Sequence, residues 1–224
     1  MSTRRDAPTV LQHAAVIALM TLATLAMLGS AFAAAPDAAF QGAFQHFLGA
    51  SAGDSAAIDT AAGEFDALAQ AEPSNPVLLV YAGASTAMRA GTTAQPLKKL
   101  AYADDGLALI DRALAMLTPA HDAPIQRGTP GSLEVRFVAA NTFLAVPPFM
   151  NRGARGAKLL GDVLDSPLFA SAPLPFKGSV WMRAATLALK EQRTPEARRL
   201  LGEVIAQNAP QAEAAKAKLK ELPV

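Results

Sequence analysis

The feature that most constrains this fold is the spacing of helix-breaking residues, which divides the chain into helix-length segments. Prolines and glycines cluster between the segments, and no run of alternating β-branched residues favours a strand. The pattern predicts nine helices, over 37–49, 55–71, 76–90, 95–117, 131–145, 153–165, 178–191, 195–207 and 210–221. Helix-start signals support three of them: Asp54, Asn75 before Pro76, and Thr194 before Pro195. The chain is therefore expected to be all-α.

The predicted helices also repeat in pairs. Residues 158–164 (KLLGDVL) align with 199–205 (RLLGEVI) at an offset of 41, and 135–140 (VRFVAA) align with 180–185 (VWMRAA) at an offset of 45. Four prolines that follow second helices are 46, 48 and 43 residues apart: Pro73, Pro119, Pro167 and Pro210. One repeat is then a helical pair of about 45 residues, present three times after a half repeat. Because a single pair cannot bury its apolar face, we expect neighbouring pairs to stack.

Small and large residues alternate within the pairs in a recognisable order. The last pair places them at Trp181, Ala184, Ala185 and Ala188, then at Ala197, Leu201 and Val204. This order resembles the tetratricopeptide-repeat (TPR) family. The middle pairs follow it more loosely, at Ala82, Gly83, Gly106, Ile110 and Ala113, and at Ala139, Ala140, Gly156, Leu160 and Val163. The resemblance implies a TPR-like α-solenoid of about three to four stacked helical hairpins, whose small residues let paired helices cross closely.

The first 33 residues have the composition of a secretory signal. Arg4 and Arg5 precede a charge-free apolar run over 14–28, and a small-x-small site follows that favours cleavage after Ala33. We expect residues 1–33 to be a signal-peptide helix that is removed, and residues 34–224 to be the TPR-like domain. The expected location is then periplasmic or secreted. The alternative is an uncleaved segment that anchors the protein in the inner membrane, facing the periplasm.

Composition and motifs argue against several kinds of chemistry. The chain has no Cys and a formal net charge of +1, so we expect no disulfide, no cysteine nucleophile and no nucleic-acid partner. The histidines, His13, His46 and His121, have no second ligand at a metal-binding spacing. No P-loop, G-x-S-x-G or G-x-G-x-x-G motif is present. We expect no metal, no cofactor and no enzyme activity.

In the TPR family the first helix of each pair lines a concave surface. The resemblance implies a partner- or ligand-binding groove formed by Val80, Ala84, Met88, Glu134, Phe137, Asn141, Leu144, Met182 and Thr186. This stripe is mostly apolar, and only Glu134, Asn141 and Thr186 can form hydrogen bonds. An apolar wall with a few polar points suits an amphipathic helix or an apolar ligand.

Two interpretations of this stripe remain open from sequence. In the first, the groove is accessible. In the second, the predicted helix over 37–49 fills it through Phe40, Phe44, Phe47 and Leu48, and the stripe is core. A similar choice concerns the loops 146–150 and 173–177, which each place a Phe after prolines. These Phe residues are contact sites if exposed, and pack over helix ends if not.

The leading expectation is a non-catalytic protein-interaction or scaffold module of the bacterial envelope, which binds a partner segment on its first-helix surface. The alternative is an accessory protein of an envelope transport system that binds a small apolar solute. Arg152 and Arg155, near the start of a predicted helix, are candidate anion contacts. Ordinary solvated charges are the other interpretation of these two residues.

Overall fold

A computed structural model describes residues 34–222, so the predicted signal peptide over 1–33 lies outside the described residues. Within the described range there are nine α-helices: α1 (Ala34–Ser51), α2 (Ser55–Ala71), α3 (Pro76–Met88), α4 (Pro96–Ala115), α5 (Gly131–Ala145), α6 (Gly153–Leu164), α7 (Leu174–Lys190), α8 (Thr194–Ala206) and α9 (Ala212–Glu221). The chain divides into two units, residues 1–42 and 43–224. The described part of the first unit, 34–42, is helical and contains the buried Phe40.

The prediction of an all-α fold is confirmed for the described residues. Two details differ from the sequence prediction. A short ribbon joins α4 to α5, with β1 (Pro124–Gln126) antiparallel to β2 (Thr129–Pro130). In addition, α7 begins four residues before the predicted start at 178, because Pro175 fits in a first turn, where its missing N–H has no helical partner.

Side-chain caps fix two of the helix starts. The Asp54 side chain accepts a hydrogen bond from Ala56 N at 3.0 Å, which starts α2. The Asn75 side chain accepts from Val77 N at 3.1 Å, with Pro76 at the first position of α3. The third predicted cap, Thr194, is wrong: it is the first residue of α8, and no side-chain cap bond is made there.

The helices of the second unit pack as hairpins in chain order. The pairs are α3 with α4, α5 with α6, and α7 with α8, while α2 packs on α3 and α9 packs on α8. Contacts between α3 and α5 and between α6 and α7 join the pairs. The result is a helical-repeat-like arrangement. None of the helices within residues 34–222 is both long enough and apolar enough to cross a membrane.

The closest crossing is between α3 and α4, where two glycines meet. A Cβ on Gly83 would lie 2.7 Å from the carbonyl oxygen of Gly106, and one on Gly106 would lie 2.5 Å from that of Gly83. No side chain fits at either position, so the backbones pack directly on one another. The small and large residues singled out from the sequence in α3 to α8 are all buried except Trp181, which is half-buried. They form the interiors of the hairpins.

Candidate functional site

A cavity of about 1330 Å³ lies in the second unit and is partly open to solvent. Its walls come from α3, α5 and α7, the first helices of the three hairpins, together with the first half of α4. Residues 43–51 of α1, the segment 146–150 and single loop residues such as Arg127 and Gln211 also contribute. Most of the lining surface is apolar. The first helices therefore form a concave, largely apolar surface.

Seven of the nine predicted groove residues line this cavity: Ala84, Met88, Glu134, Phe137, Asn141, Met182 and Thr186. The other two do not. Val80 is fully buried in the core, and Leu144 is half-buried and packs toward Gly156 of α6. On α3 the cavity side begins at Tyr81 rather than Val80, so the predicted position was one residue out at the start of that helix.

Residues 43–51 of α1 do not fill the cavity. Phe44, Phe47 and Leu48 lie on its wall, and Leu48 remains 45% exposed. Phe47 is held by edge-to-face contacts with Phe65 at 6.2 Å and with Tyr81 at 4.9 Å. These contacts direct the aromatic side chain of Phe47 toward α2 and α3, so this part of α1 adds a wall to the cavity rather than an occupant.

The most polar part of the wall is a cluster of Tyr81, Arg127 and Glu134. The Tyr81 hydroxyl donates to Glu134 Oε1 at 2.8 Å, and an Arg127 terminal nitrogen donates to the same oxygen at 2.8 Å. The Glu134 side chain is 1% exposed. Its second oxygen, Oε2, is buried and has no hydrogen-bond partner. A carboxylate with one unsatisfied oxygen at the edge of an apolar cavity is a costly arrangement for stability alone.

Arg127 reaches Glu134 because of the turn between β1 and β2. Arg127 and Gly128 have φ values of 41° and 69°, and a two-residue hairpin turn of this kind requires positive φ at both positions. Glycine adopts this conformation freely, whereas arginine pays a steric cost. The guanidinium then lies 3.7 Å from the ring centroid of Phe44, so it is held between an aromatic face and a carboxylate.

Burial and pairing shift the pKa values of all three groups. Burial raises the pKa of Glu134 above its ordinary value, and the positive charge of Arg127 only partly offsets this. Burial also raises the pKa of Tyr81, and the neighbouring carboxylate raises it further. For Arg127, burial acts to lower the pKa, but the interactions with Tyr81 and Glu134 outweigh it and the pKa is raised. The cluster therefore favours a charged Arg127 and a protonated Tyr81.

A second polar region lies on α7. Arg183 lines the cavity and donates from a terminal nitrogen to the carbonyl oxygen of Asn141 at 3.1 Å. Gln211 reaches the same cavity and donates to Ser179 Oγ at 3.0 Å. Burial lowers the pKa of Arg183, and no carboxylate among the described residues lies within ion-pair distance of it.

The two candidate anion contacts are engaged elsewhere. Arg152 lies 2.9 Å from Asp111 Oδ2, and Arg155 forms an ion pair with Asp111 Oδ1. Both guanidinium groups also lie near the ring of Phe143. These contacts join the start of α6 to α4, so the structure gives this pair a role in packing neighbouring hairpins. An anion would have to compete with Asp111 for them.

The two proline-associated Phe residues have different environments. Phe149 is 72% exposed and lies on the rim of the cavity, with Leu100 of α4 also exposed there. Phe176 is buried, with its ring centroid 5.3 Å from that of Phe137. The first is a candidate contact site, and the second packs the start of α7 against α5.

No group of three or more His, Cys, Asp or Glu side chains within residues 34–222 is placed to hold a metal ion. His46 Nδ1 lies 2.7 Å from Glu64 Oε2, and His121 Nδ1 accepts a hydrogen bond from Thr118 N at 2.9 Å. These two histidines therefore make local contacts. His13 lies outside the described residues.

Several polar residues of the wall were not predicted to line the groove, among them Tyr81, Arg127 and Arg183. Tyr81 and Arg183 could have been found, because each is adjacent to a predicted groove position on its own helix. Arg127 lies in a loop that carries no helical periodicity. One sequence signal for Arg127 exists. Glu134 was expected to face an apolar groove, and a carboxylate there needs a cation from another part of the chain.

Comparison of this chain with protein-family models, with curated proteins and with solved structures finds no match. The TPR similarity of the sequence therefore stays a resemblance, while the helical hairpins and their repeat-like packing are features of the structure itself.

Proposed function

We propose that this protein is a non-catalytic binding protein that holds an apolar molecule in the cavity between its first helices. The observation that carries the proposal is the cavity of about 1330 Å³, whose mostly apolar wall is drawn from all three hairpins. Sites for small molecules are concave, largely apolar and supplied with a few polar groups that orient the ligand. The Tyr81, Arg127 and Glu134 cluster supplies polar groups of this kind.

The surroundings of the first helices favour a discrete molecule over an extended peptide. Residues 43–51 of α1 and the segment 146–150 add further walls around the first helices, and a site walled on several sides can bury most of the surface of a discrete ligand. The volume exceeds the roughly 300–1,000 Å³ of ordinary ligand pockets. The proposed ligand is accordingly a bulky or long-chain apolar molecule.

We also propose that the hairpins are TPR-like units of a short α-solenoid and that the protein works outside the cytoplasm. The close crossing at Gly83 and Gly106 and the ordered packing of hairpins support the first part. The second rests on the signal-like composition of residues 1–33. N-terminal sequencing of protein from the envelope fraction tests it: the expected sequence begins at or near Ala34, and a sequence beginning at residue 1 would contradict cleavage.

The second candidate function is the docking of a protein segment. It is supported by the rim of the cavity, where Leu48, Leu100 and Phe149 are exposed. Leu97, which does not line the cavity, is 84% exposed nearby on α4. Clusters of exposed large apolar side chains mark contact surfaces. In this alternative the partner would cover the rim.

Binding of N-phenyl-1-naphthylamine, an uncharged apolar dye that fluoresces when shielded from water, tests the first function. We expect Phe137→Asp and Met182→Asp to abolish binding, because each places a charge in the apolar wall. Leu97→Asp is the matched control and is expected to leave dye binding unchanged. Far-UV circular dichroism of each variant reports whether the helices are retained.

Three results would argue against this proposal. Wild-type protein that does not bind the dye would refute an accessible apolar cavity. Unfolding of both wall variants would show that the stripe is core. Loss of a native partner in Leu97→Asp and Phe149→Asp, with dye binding intact, would favour segment docking.

A further inference from the structure

Arg183, on the wall of the proposed binding cavity, has no carboxylate partner within residues 34–222. One terminal nitrogen donates to the carbonyl oxygen of Asn141, and the Nε atom is buried without a hydrogen-bond partner. Other arginines near the cavity have carboxylate partners: Arg127 has Glu134, and Arg152 has Asp111. A guanidinium has five N–H donors in a planar fork that matches a carboxylate or phosphate. Among the hydrogen bonds of the described residues, Arg183 donates one, and its acceptor is the uncharged carbonyl oxygen of Asn141.

The charges around the cavity are unbalanced in the same direction. The charged residues that line it are Lys99, Arg127, Glu134 and Arg183. Glu134 and Arg127 neutralise each other, which leaves two cations without a carboxylate partner among the described residues. Low-dielectric walls strengthen the field of such charges within a cleft. The cavity is therefore apolar in surface and positive in charge.

We propose that the molecule held in this cavity is an anionic amphiphile, whose acidic head group pairs with Arg183 and whose apolar tail lies against Phe137, Met182 and Met88. This inference rests on the proposed binding function and adds the chemical class of the ligand. Phe137 of α5, Met182 of α7 and Met88 of α3 all line the same cavity as Arg183. An apolar tail in the cavity can therefore contact these side chains while the head group stays on α7.

The polar cluster on α3 and α5 does not compete for the head group. Glu134 repels an anion, and its partner Arg127 already donates to Oε1 and stacks on Phe44. A cationic head group would have to approach Glu134 against the field of Arg127, Arg183 and Lys99. An uncharged head group would leave Arg183 with no ionic partner. Of the three head-group charges, the negative one satisfies the most groups on the wall.

Calorimetric titration with three amphiphiles of the same alkyl chain tests the inference: dodecanoate, dodecanol and dodecyltrimethylammonium, each kept below its micelle concentration. Dodecanoate is expected to bind about tenfold or more tightly than dodecanol, as one hydrogen-bonded ion pair would give. The cationic amphiphile is expected to bind least tightly. Arg183→Gln should lower the affinity for dodecanoate by about tenfold or more, toward that for dodecanol.

Arg136→Gln is the matched control. Arg136 also donates to a backbone carbonyl, that of Ser132, but it lies outside the cavity lining, so its replacement is expected to change no affinity. Arg183→Lys retains the positive charge and should restore part of the preference for dodecanoate. If Arg183→Gln loses its helical circular dichroism signal, two other measurements test the inference. These are the ranking of the three amphiphiles on wild-type protein and the dodecanoate preference of Arg183→Lys.

The outcomes separate this inference from the function beneath it. Equal affinities for all three amphiphiles, unaffected by Arg183→Gln, would overturn the anionic class and leave an apolar binding protein. Loss of the dodecanoate preference in Lys99→Gln rather than in Arg183→Gln would overturn the assignment to Arg183. Binding of no amphiphile, together with no binding of the naphthylamine dye, would overturn the binding function itself.

Discussion

The buried pair of Arg127 and Glu134 gives a prediction that depends on pH. In Arg127→Met the aliphatic part of the side chain can still pack on Phe44, but Glu134 loses the only cation within ion-pair distance among the described residues. Tyr81 remains as its hydrogen-bond donor. We expect the variant to be less stable than the wild type by an amount that grows as the pH rises.

The size of the effect follows from the burial of the carboxylate. Removing one partner of a buried ion pair costs about 3–5 kcal/mol, because the other charge is left without compensation. Glu134 is almost fully buried, whereas the Arg127 side chain is 26% exposed, which places the expected loss near the lower end, at about 3 kcal/mol. Loss of the cation raises the pKa of Glu134 further, because the charged carboxylate then has no compensating charge.

The sign of the pH dependence follows from linkage. Burial raises the pKa of Glu134 in the folded protein above its ordinary value of 4.5, and the substitution raises it further. Below that ordinary value, Glu134 is protonated in both the folded and the unfolded states, and the carboxyl contributes no difference between variant and wild type. As the pH rises, the unfolded state releases its proton first. The stability of the variant therefore falls until the pH passes the pKa in its folded state.

Urea unfolding followed by circular dichroism at about pH 5 and about pH 8 measures this difference. Combining Arg127→Met with Glu134→Gln removes the charge, and we expect the pH-dependent part of the loss to disappear. Arg136→Met, outside the cluster, is the control. An equal loss of stability at both pH values, or an unchanged pH dependence in the double variant, would refute the reasoning.

Three further predictions concern packing and ionisation. Gly83→Ala should cost about 1–3 kcal/mol in urea unfolding, because the new Cβ would lie 2.7 Å from the carbonyl oxygen of Gly106. In the control Gly161→Ala, the new Cβ has no atom within 4 Å, so the free energy of unfolding should stay the same or rise by up to about 1 kcal/mol. Equal effects of the two substitutions would contradict a close crossing of α3 and α4. Trp181→Ala should lower the free energy of unfolding by about 2 kcal/mol, because its ring is half-buried and a fully buried Trp loses roughly 3–5 kcal/mol. An unchanged midpoint of urea unfolding would place Trp181 outside the core. Above about pH 10 the wild type should lose stability relative to Tyr81→Phe. The raised pKa of Tyr81 means that the unfolded state releases the phenol proton first, which favours unfolding as the pH rises. Parallel stability profiles of the two proteins against pH would contradict a raised pKa.

The helices could be predicted from sequence because their boundaries depend on local chemistry. Segments 55–71 and 131–145 were predicted with the observed bounds, since a proline or a capping side chain lies at or near each end. The ribbon at 124–130 could not be predicted, because its strands are very short and contain prolines. Its pairing depends on the Arg127-Gly128 turn, which carries no strand periodicity.

The site was predicted less completely, for a geometric reason. Helical periodicity identifies the face of a helix but not its rotation to within one residue, so Val80 was placed where Tyr81 lies. Nor does periodicity report what approaches a face from elsewhere in the chain. Arg127, which reaches the cavity from a loop, is of this kind. The approach of the helix over 37–49 was considered from sequence, but whether it forms a wall or a filling depends on tertiary packing, which a single sequence encodes only indirectly.

The polar groups on the cavity wall are costly for folding, and this supports the proposed binding function. A buried carboxylate–guanidinium pair contributes little net stability compared with apolar side chains of similar volume. Here the pair also requires an arginine at positive φ and leaves Glu134 Oε2 without a partner. On α7 a further guanidinium is partly desolvated without any carboxylate nearby among the described residues. A bound anion that pairs with Arg183 would offset the cost of desolvating that guanidinium.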